Sequence, residues 1–361
     1  MTIIRGTTPR GIALIVVLIS IVVLSVLAVG FAYSMKVETR LARNASYDTE
    51  LEWMGRSGVE VARWVLGQQL LIAAEPYDSL NQKWAGGPGG LATSNSPLAD
   101  FDLSQPIDMG DGKVVITKIT DLERKININL ADERILQQAL VSMGVDAAET
   151  PTVVNSILDW IDPDDVMRVG GAESDFYQAL TPPYVAKNGP IDDISELLLI
   201  KGMTPELFWG PACTNHSPAA FQAKGPWGGW NQGPLVYPFG LVDVFSTISS
   251  GRININTASA SVLQAIPMID QNIAAEILRM RAGPDGVDGT MDDTPLRNAG
   301  ELVNVIPSMQ IVGQLQRYCD VRSRTFEVRV DAEISGYTRH FVAILGRNSP
   351  RDIQILSFYS Q

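Results

Sequence analysis

Arg10-Gly11-Ile12-Ala-Leu-Ile-Val-Val-Leu-Ile-Ser-Ile-Val-Val-Leu-Ser-Val-Leu-Ala-Val-Gly-Phe-Ala-Tyr33 decides how the rest of this chain is read. No charge follows Arg10 until Lys36, and about 20 apolar residues in a helix are enough to cross the hydrocarbon core of a bilayer. The helical pattern continues past that point. From Val37 to Leu71 there is no proline, and apolar residues recur at helical spacing through Leu41, Ala45, Leu51, Met54, Ala62, Val65 and Leu66. The reading is one helix, crossing the membrane over residues 12–35 and continuing as an amphipathic rod over 36–74. About 60 residues at 1.5 Å each give a rod of about 90 Å.

Residues 1–11 are short, basic and end in glycine. A secretory signal, a plain anchor, or a type IV prepilin-like leader cut between Gly11 and Ile12 all start this way. Arg10-Gly11 at the edge of the apolar run, and the helix that carries on beyond it, favour the leader. Most pilins carry Glu as the fifth mature residue; here that position is Val16.

The net charge is −12, from 28 basic and 40 acidic residues. Nonspecific nucleic-acid binding needs a positive footprint, so the balance argues against it. The two cysteines, Cys213 and Cys319, are too few for a disulfide scaffold; outside the cytoplasm they either pair or stay as buried thiols.

Beyond the helix, residues 75–124 read as a Pro/Gly-rich loop followed by a strand at 113–119. Helices are expected at 131–143, 150–160, 193–200 and 204–209. Gly225-Pro-Trp-Gly-Gly-Trp-Asn-Gln-Gly-Pro234 reads as loop. Lys125-Ile-Asn-Ile-Asn-Leu-Ala131 and Arg252-Ile-Asn-Ile-Asn-Thr-Ala258 echo one another 127 residues apart. Each would feed a helix, with Asn129 or Thr257 near its cap. At the C-terminal end, Phe326, Val328, Val330, Ala332 and Ile334 alternate with polar residues, the pattern of a half-buried strand. Ser335-Gly336 turns it, and two more strands follow, at 339–345 and 352–359. An antiparallel sheet with one apolar face needs a cover, and the amphipathic helix supplies one. The fold class is therefore α/β (α+β): a long N-terminal helix on an antiparallel sheet. Residues 125–317 form a helical domain of two similar units inserted between the strands, and 318–361 return to the sheet.

Two acidic clusters could carry chemistry. The first is Asp162, Asp164 and Asp165 with Glu173 and Asp175; the second is Asp285, Asp288, Asp292 and Asp293 in a Gly-rich loop. A divalent cation would relieve the repulsion among such carboxylates, and Ca²⁺ takes six to eight oxygens in flexible sites. Helix capping with a solvated acidic loop is the plainer reading of the first cluster; in the second, Ca²⁺ is favoured over a plain turn. Zinc is disfavoured, because no Cys or His lies near. No catalytic residues are expected: His216 and His340 stand far apart, and no nucleophile motif or phosphate loop accompanies them. The stretch 257–279 resembles a DNA-binding helix–hairpin–helix, but its hairpin Ile266-Pro-Met-Ile-Asp270 has no glycine and carries an added negative charge.

In this order, the parts resemble the K-type minor pseudopilins of bacterial type II (general) secretion. The pieces are the helix at 10–71 with Val16, Lys125-Ile-Asn-Ile-Asn129, Asp159-Trp-Ile-Asp-Pro-Asp-Asp165, Gly170-Gly-Ala-Glu-Ser-Asp-Phe-Tyr177, Pro182-Pro-Tyr184, Ser195-Glu-Leu-Leu-Leu-Ile-Lys-Gly202 and Ile253-Asn-Ile-Asn-Thr-Ala258. The resemblance implies a pilin-like fold, a large inserted helical domain with bound Ca²⁺, leader cleavage between Gly11 and Ile12, and methylation. It also implies a single-pass inner-membrane precursor with a periplasmic domain, ending at the tip of a pseudopilus. Implied partners are other minor pseudopilins, the major pseudopilin, the prepilin peptidase and the assembly platform. Nucleic acid is not expected. A membrane-anchored DNA receptor of a competence system, a membrane-tethered metal-dependent hydrolase and a minor pilin of a type IV pilus are the alternatives.

Overall fold

The computed structural model describes residues 10–90, 92–213 and 237–361. Residues 1–9 of the expected leader, His216 and the Gly225–Pro234 loop lie outside the described residues. Helix α1 runs unbroken from Arg10 to Leu71. Its first half has no partner in the fold: Val29 and Phe31 are 70% and 69% exposed. Among the described residues this is the helix long and apolar enough to cross a membrane. Its second half is buried on one side by Leu51, Val59, Ala62, Val65 and Leu66.

In chain order, strands β1 (Ile107–Asp108) and β2 (Gly112–Asp121) come first, followed by the short β3 (Ile126–Asn127). Helices α2 (Glu133–Met143), α3 (Thr150–Ile161), α4 (Ser174–Gln178), α5 (Pro205–Trp209) and α6 (Leu241–Val244) follow. Next come β4 (Phe245–Ser246), β5 (Ile253–Asn254), α7 (Ala260–Gln264), α8 (Gln271–Arg281) and α9 (Met309–Leu315). Strands β6 (Cys319–Asp320), β7 (Thr325–Ile334), β8 (Tyr337–Ser349) and β9 (Asp352–Ser360) close the chain.

The main sheet has the order β1-β2-β7-β8-β9 and is antiparallel throughout. β7 buries Phe326, Val328, Val330, Ala332 and Ile334, the alternation that its sequence predicts. The β7–β8 hairpin turns on Ser335 (φ 50) and Gly336 (φ 82), a two-residue turn whose twist suits the flanking strands. Helix α1 lies close on this sheet because its facing residues are small. A Cβ on Gly55 would stand 2.5 Å from the Phe341 ring, and one on Gly58 would stand 2.6 Å from Val330.

The helical domain leaves the sheet at the end of β2 and returns at the start of β7, and those strands are hydrogen-bonded neighbours. The molecule has two hydrophobic cores with no residue in common. One packs α1 on the sheet; the other takes its residues from Ile126 to Val321. A buried polar network ties them together. Asp121 at the end of β2 accepts from Thr257 Oγ1 (2.5 Å), Ser323 Oγ (2.7 Å) and Asn254 Nδ2 (3.1 Å). Asn254 also donates to Asp78 O (3.0 Å), and the Asp78 carboxylate pairs with buried Arg347. Burial pushes the Asp121 carboxyl up to about 6.

The echoing segments are structurally equivalent. Asn127 and Asn254 each accept from the backbone N–H two residues on (2.9 and 3.0 Å). Asn129 and Asn256 each make a double bond pair to a distant backbone, at Ile191 (3.0 and 2.7 Å) and Leu296 (2.9 and 2.9 Å). Asn129 and Thr257 lie near the caps, as expected: after a 3₁₀ turn at Ile128–Leu130 and a turn at 255–257, Asp132 and Ser259 cap α2 and α7. The helix expected at 193–200 is a six-residue 3₁₀ turn, Ile194–Leu199, held by a capping box of Asp193 and Glu196. Cys319 lies in the second core and Cys213 is also buried; no disulfide joins them.

Candidate metal centre

The first acidic cluster is built where α3 ends. Asp162 terminates that helix with its N–H on Leu158 O (3.0 Å), and Pro163 follows, which cannot continue the ladder. The chain loops out and returns through Gly170 (φ 81) and Gly171. A Cβ on Gly171 would sit 2.0 Å from Asp159 Oδ2, so only glycine lets the loop close here. Glu173 then precedes α4, its side chain making no cap hydrogen bond.

This path brings Asp162, Asp164 and Glu173 together, each with a carboxylate oxygen within 4.8 Å of the others. Glu173 is 5% exposed, and both of its oxygens are buried with no hydrogen-bond partner. Asp162 Oδ1 is in the same state. Buried carboxylates without donors are costly as anions. Burial, then the charges of Asp159, Asp162, Asp165 and Asp164, push the Glu173 carboxyl up to about 7. A hard cation would remove both penalties, and an all-oxygen donor set suits Ca²⁺.

Of the other expected ligands, Asp165 adjoins this group, its charge acting on Glu173, while one of its oxygens accepts from Ser174 Oγ (3.0 Å) and Asn188 Nδ2 (2.9 Å); Asp175 is exposed. In the second loop the carboxylates are consumed locally. Asp288 takes a two-pronged ion pair from Arg281 (3.0 and 2.7 Å). Asp293 accepts from the N–H groups of Gly289 (2.8 Å) and Thr290 (3.2 Å). Asp292 accepts from Asp285 N and Thr290 Oγ1, and the Thr290 bond chiefly lowers its pKa. Asp285 accepts from Val287 N (2.8 Å). These four do not converge.

Two residues beside the candidate ligands matter to the first site: Asp159, which opens the acidic cluster in the sequence, and Arg168. Asp159 is fully buried and accepts from Arg168 N and from Ala172 N (3.0 Å). The Arg168 guanidinium bridges Asp159 (2.8 Å) and Asp162. Asp159 stands one turn before Asp162 on α3, a spacing that places both on one face. Of the histidines, His340 pairs with Asp331 (2.7 Å) on the charged face of the sheet. The hairpin at 266–270 packs through Ile266 and Ile269, which are 0% and 1% exposed, while Met268 and Asp270 face outward.

Residues 117–209 match the protein family described as "Type II secretion system (T2SS), protein K". The chain is 26% identical over 215 residues to a putative type II secretion system protein K of Escherichia coli K12, covering 55% of this chain and 59% of the relative. It is 24% identical over 212 residues to the Klebsiella pneumoniae protein K, covering 55% and 60%. With the Pseudomonas aeruginosa protein K it shares 25% over 296 residues, covering 79% and 76%. The match thus spans less than two thirds of the first two relatives. The fold is shared with a chain in the crystal structure of the GspK-GspI-GspJ complex from enterotoxigenic E. coli, with a TM-score of 0.61, 17% identity and coverage of 89% of this chain and 99% of that one. The family read from the motifs is the one whose model matches residues 117–209, and the relatives above carry the same description, type II secretion system protein K.

Proposed function

We propose that this chain is a minor pseudopilin that initiates and caps the tip of the periplasmic pseudopilus in type II secretion, acting as a structural subunit and not as an enzyme. The observation that carries this is the contrast along α1. Its apolar half projects uncovered, while the ectodomain on its other half bears a second domain with a core of its own. Uncovered apolar helices bundle in a fibre, and a bulky domain beside them would meet any subunit stacked above it. Val16 points the same way. In the low-dielectric centre of such a bundle a buried terminal amine is costly. A Glu at the fifth mature position can neutralise a neighbour's amine, and Val16 cannot.

The reading places the precursor in the inner membrane through residues 12–35, with the remainder in the periplasm. The leader is removed between Gly11 and Ile12 by the prepilin peptidase, and the assembly platform then moves the chain into the fibre. The partners are other minor pseudopilins, as GspI and GspJ are to GspK in the related structure, together with the major pseudopilin. Ca²⁺ would be held by Asp162, Asp164 and Glu173, where it supplies the positive charge that fixes the loop. Immunogold labelling of assembled pseudopili tests the reading: label at fibre ends supports it, and label along the shaft overturns it. Val16→Glu is expected to alter assembly and to reduce secretion several-fold; unchanged secretion would weaken the charge argument.

A further inference from the structure

We propose that the groove lined by Arg252, Arg322 and Arg324 receives an acidic, extended segment of a partner protein. Two adjoining cavities of about 250 and 320 Å³ share Asp320, Arg322 and Arg324 in their walls. Within a chain of net charge −12, three guanidinium groups face one carboxylate here. That carboxylate is Asp320, 3.3 Å from Arg252 Nη1. Arg322 is steadied by its Nε on Pro76 O (2.8 Å), which directs the rest of the group outward. Among the described residues, the Arg324 guanidinium makes no hydrogen bond or ion pair, although it is flanked by anchored backbone.

That anchoring makes the site rigid. Burial alternates over 321–324: Val321 and Ser323 are buried, and Arg322 and Arg324 are exposed on the other side of the strip. Val321 O accepts from Asp78 N (2.8 Å), Ser323 N donates to Asp78 Oδ2 (2.9 Å), and Arg324 O accepts from Arg347 N (2.6 Å). Two side chains two residues apart on extended backbone stand about 7 Å apart. Alternate side chains of an extended peptide have the same spacing, so two carboxylates at i and i+2 meet two arginines, each able to pair in the forked geometry. A compact polyanion such as phosphate would be set against the Asp320 carboxylate, whereas a peptide also brings N–H donors. Lipid headgroups are out of reach. Leu70 lines the groove, and it lies about 50 Å along α1 from Met35, where the apolar run ends.

The test uses the full chain in detergent micelles and a fluorescent (Glu-Gly)₄ peptide, read by anisotropy at about 150 mM salt, where long-range attraction is screened. Wild type is expected to bind it. Arg322→Ala/Arg324→Ala should weaken binding about tenfold with the melting temperature unchanged, and Arg322→Lys/Arg324→Lys should restore only part. Inorganic phosphate and glycerol phosphate are the competitors. Displacement by either at concentrations below the peptide's own would overturn the proposal, as would absence of wild-type binding. Equal affinity of wild type and a folded double variant would also overturn it.

Discussion

The two helical units share a scaffold and differ in how they treat acid. In both, an Ile-Asn-Ile-Asn segment forms a short parallel strand pair, its second Asn clamps a distant backbone, and a capped helix follows. In both, an acidic loop then leads to a clamped residue and a short 3₁₀ turn, capped by Asp193 in one unit and Asn298 in the other. The loops themselves part ways. The 283–294 loop has a cation of its own: Arg281, 4% exposed, spends one nitrogen on Ile255 O and Ala258 O and the others on Asp288. In the 162–173 loop the internal cation is Arg168, which is exposed and reaches Asp159 and Asp162 but leaves Glu173 with nothing. A scaffold repeated in one chain thus holds one acidic loop closed by its own side chains and one whose cation leaves Glu173 unpaired.

The largest expected effect comes from removing the built-in cation. Arg281→Ala leaves two carbonyls and a partly buried carboxylate without donors, which should cost about 3 kcal/mol of unfolding free energy. Urea denaturation of the purified chain measures it. Arg168→Ala should cost less, because Asp159 keeps the N–H groups of residues 168 and 172 and Asp162 is partly exposed. If the two losses are equal, the contrast between the loops is wrong.

Much of this scaffold was legible and its purpose was not. The β7 alternation and the 10–71 helix follow from periods of 2 and 3.6, which belong to the sequence itself. The Ile-Asn-Ile-Asn echo was visible too, and it was read as a lead-in to helix caps. Its Asn side chains also bind Ile191 and Leu296, which lie 62 and 40 residues away, and local pattern carries no trace of such pairings. Nothing in the local pattern marks Gly55 and Gly58, because their use depends on Phe341 and Val330 across the sheet. Candidate ligands suffered likewise. Nine acids qualified by type, and the path of the loops, set by Pro163, Gly170 and Gly171, brings together Asp162, Asp164 and Glu173.

The next effect tests the missing charge directly. Ca²⁺ at about 100 times its Kd should stabilise wild type by about 2.7 kcal/mol, and Glu173→Gln should abolish most of that shift. Asp292→Asn, in the satisfied loop, should leave it intact. The pH dependence follows from the raised Glu173 pKa. Without metal the folded state holds a proton on Glu173 up to about pH 7, whereas an unfolded Glu releases it near pH 4.5. This group's contribution to stability therefore falls as pH rises through that window. Ca²⁺ must displace the proton, so its stabilisation should be small at pH 5 and full at pH 8. Calorimetry across that range decides it, and a shift independent of pH would remove Glu173 from the site.

The smallest effect separates scaffold from loop. Asn256 is 3% exposed and its partner Leu296 1%, so Asn256→Ala strands a buried carbonyl and a buried N–H at once and should cost about 2 kcal/mol. Asn129 makes the same two bonds to Ile191 from a half-buried position. Ile191 is 1% exposed, like Leu296, but removing the half-buried Asn129 side chain opens a path for water to its two groups, so the loss should be nearer 1 kcal/mol. The two substitutions differ more in a second readout. Ile191 belongs to the unit that holds Glu173, so loosening it should also weaken the Ca²⁺-induced shift. Leu296 follows the loop that Arg281 already closes, and Asn256→Ala should lower stability while leaving the Ca²⁺ shift as it was. Equal loss of the shift in both variants would mean that the two units act as one body, and that the open loop is not tuned by its own clamp.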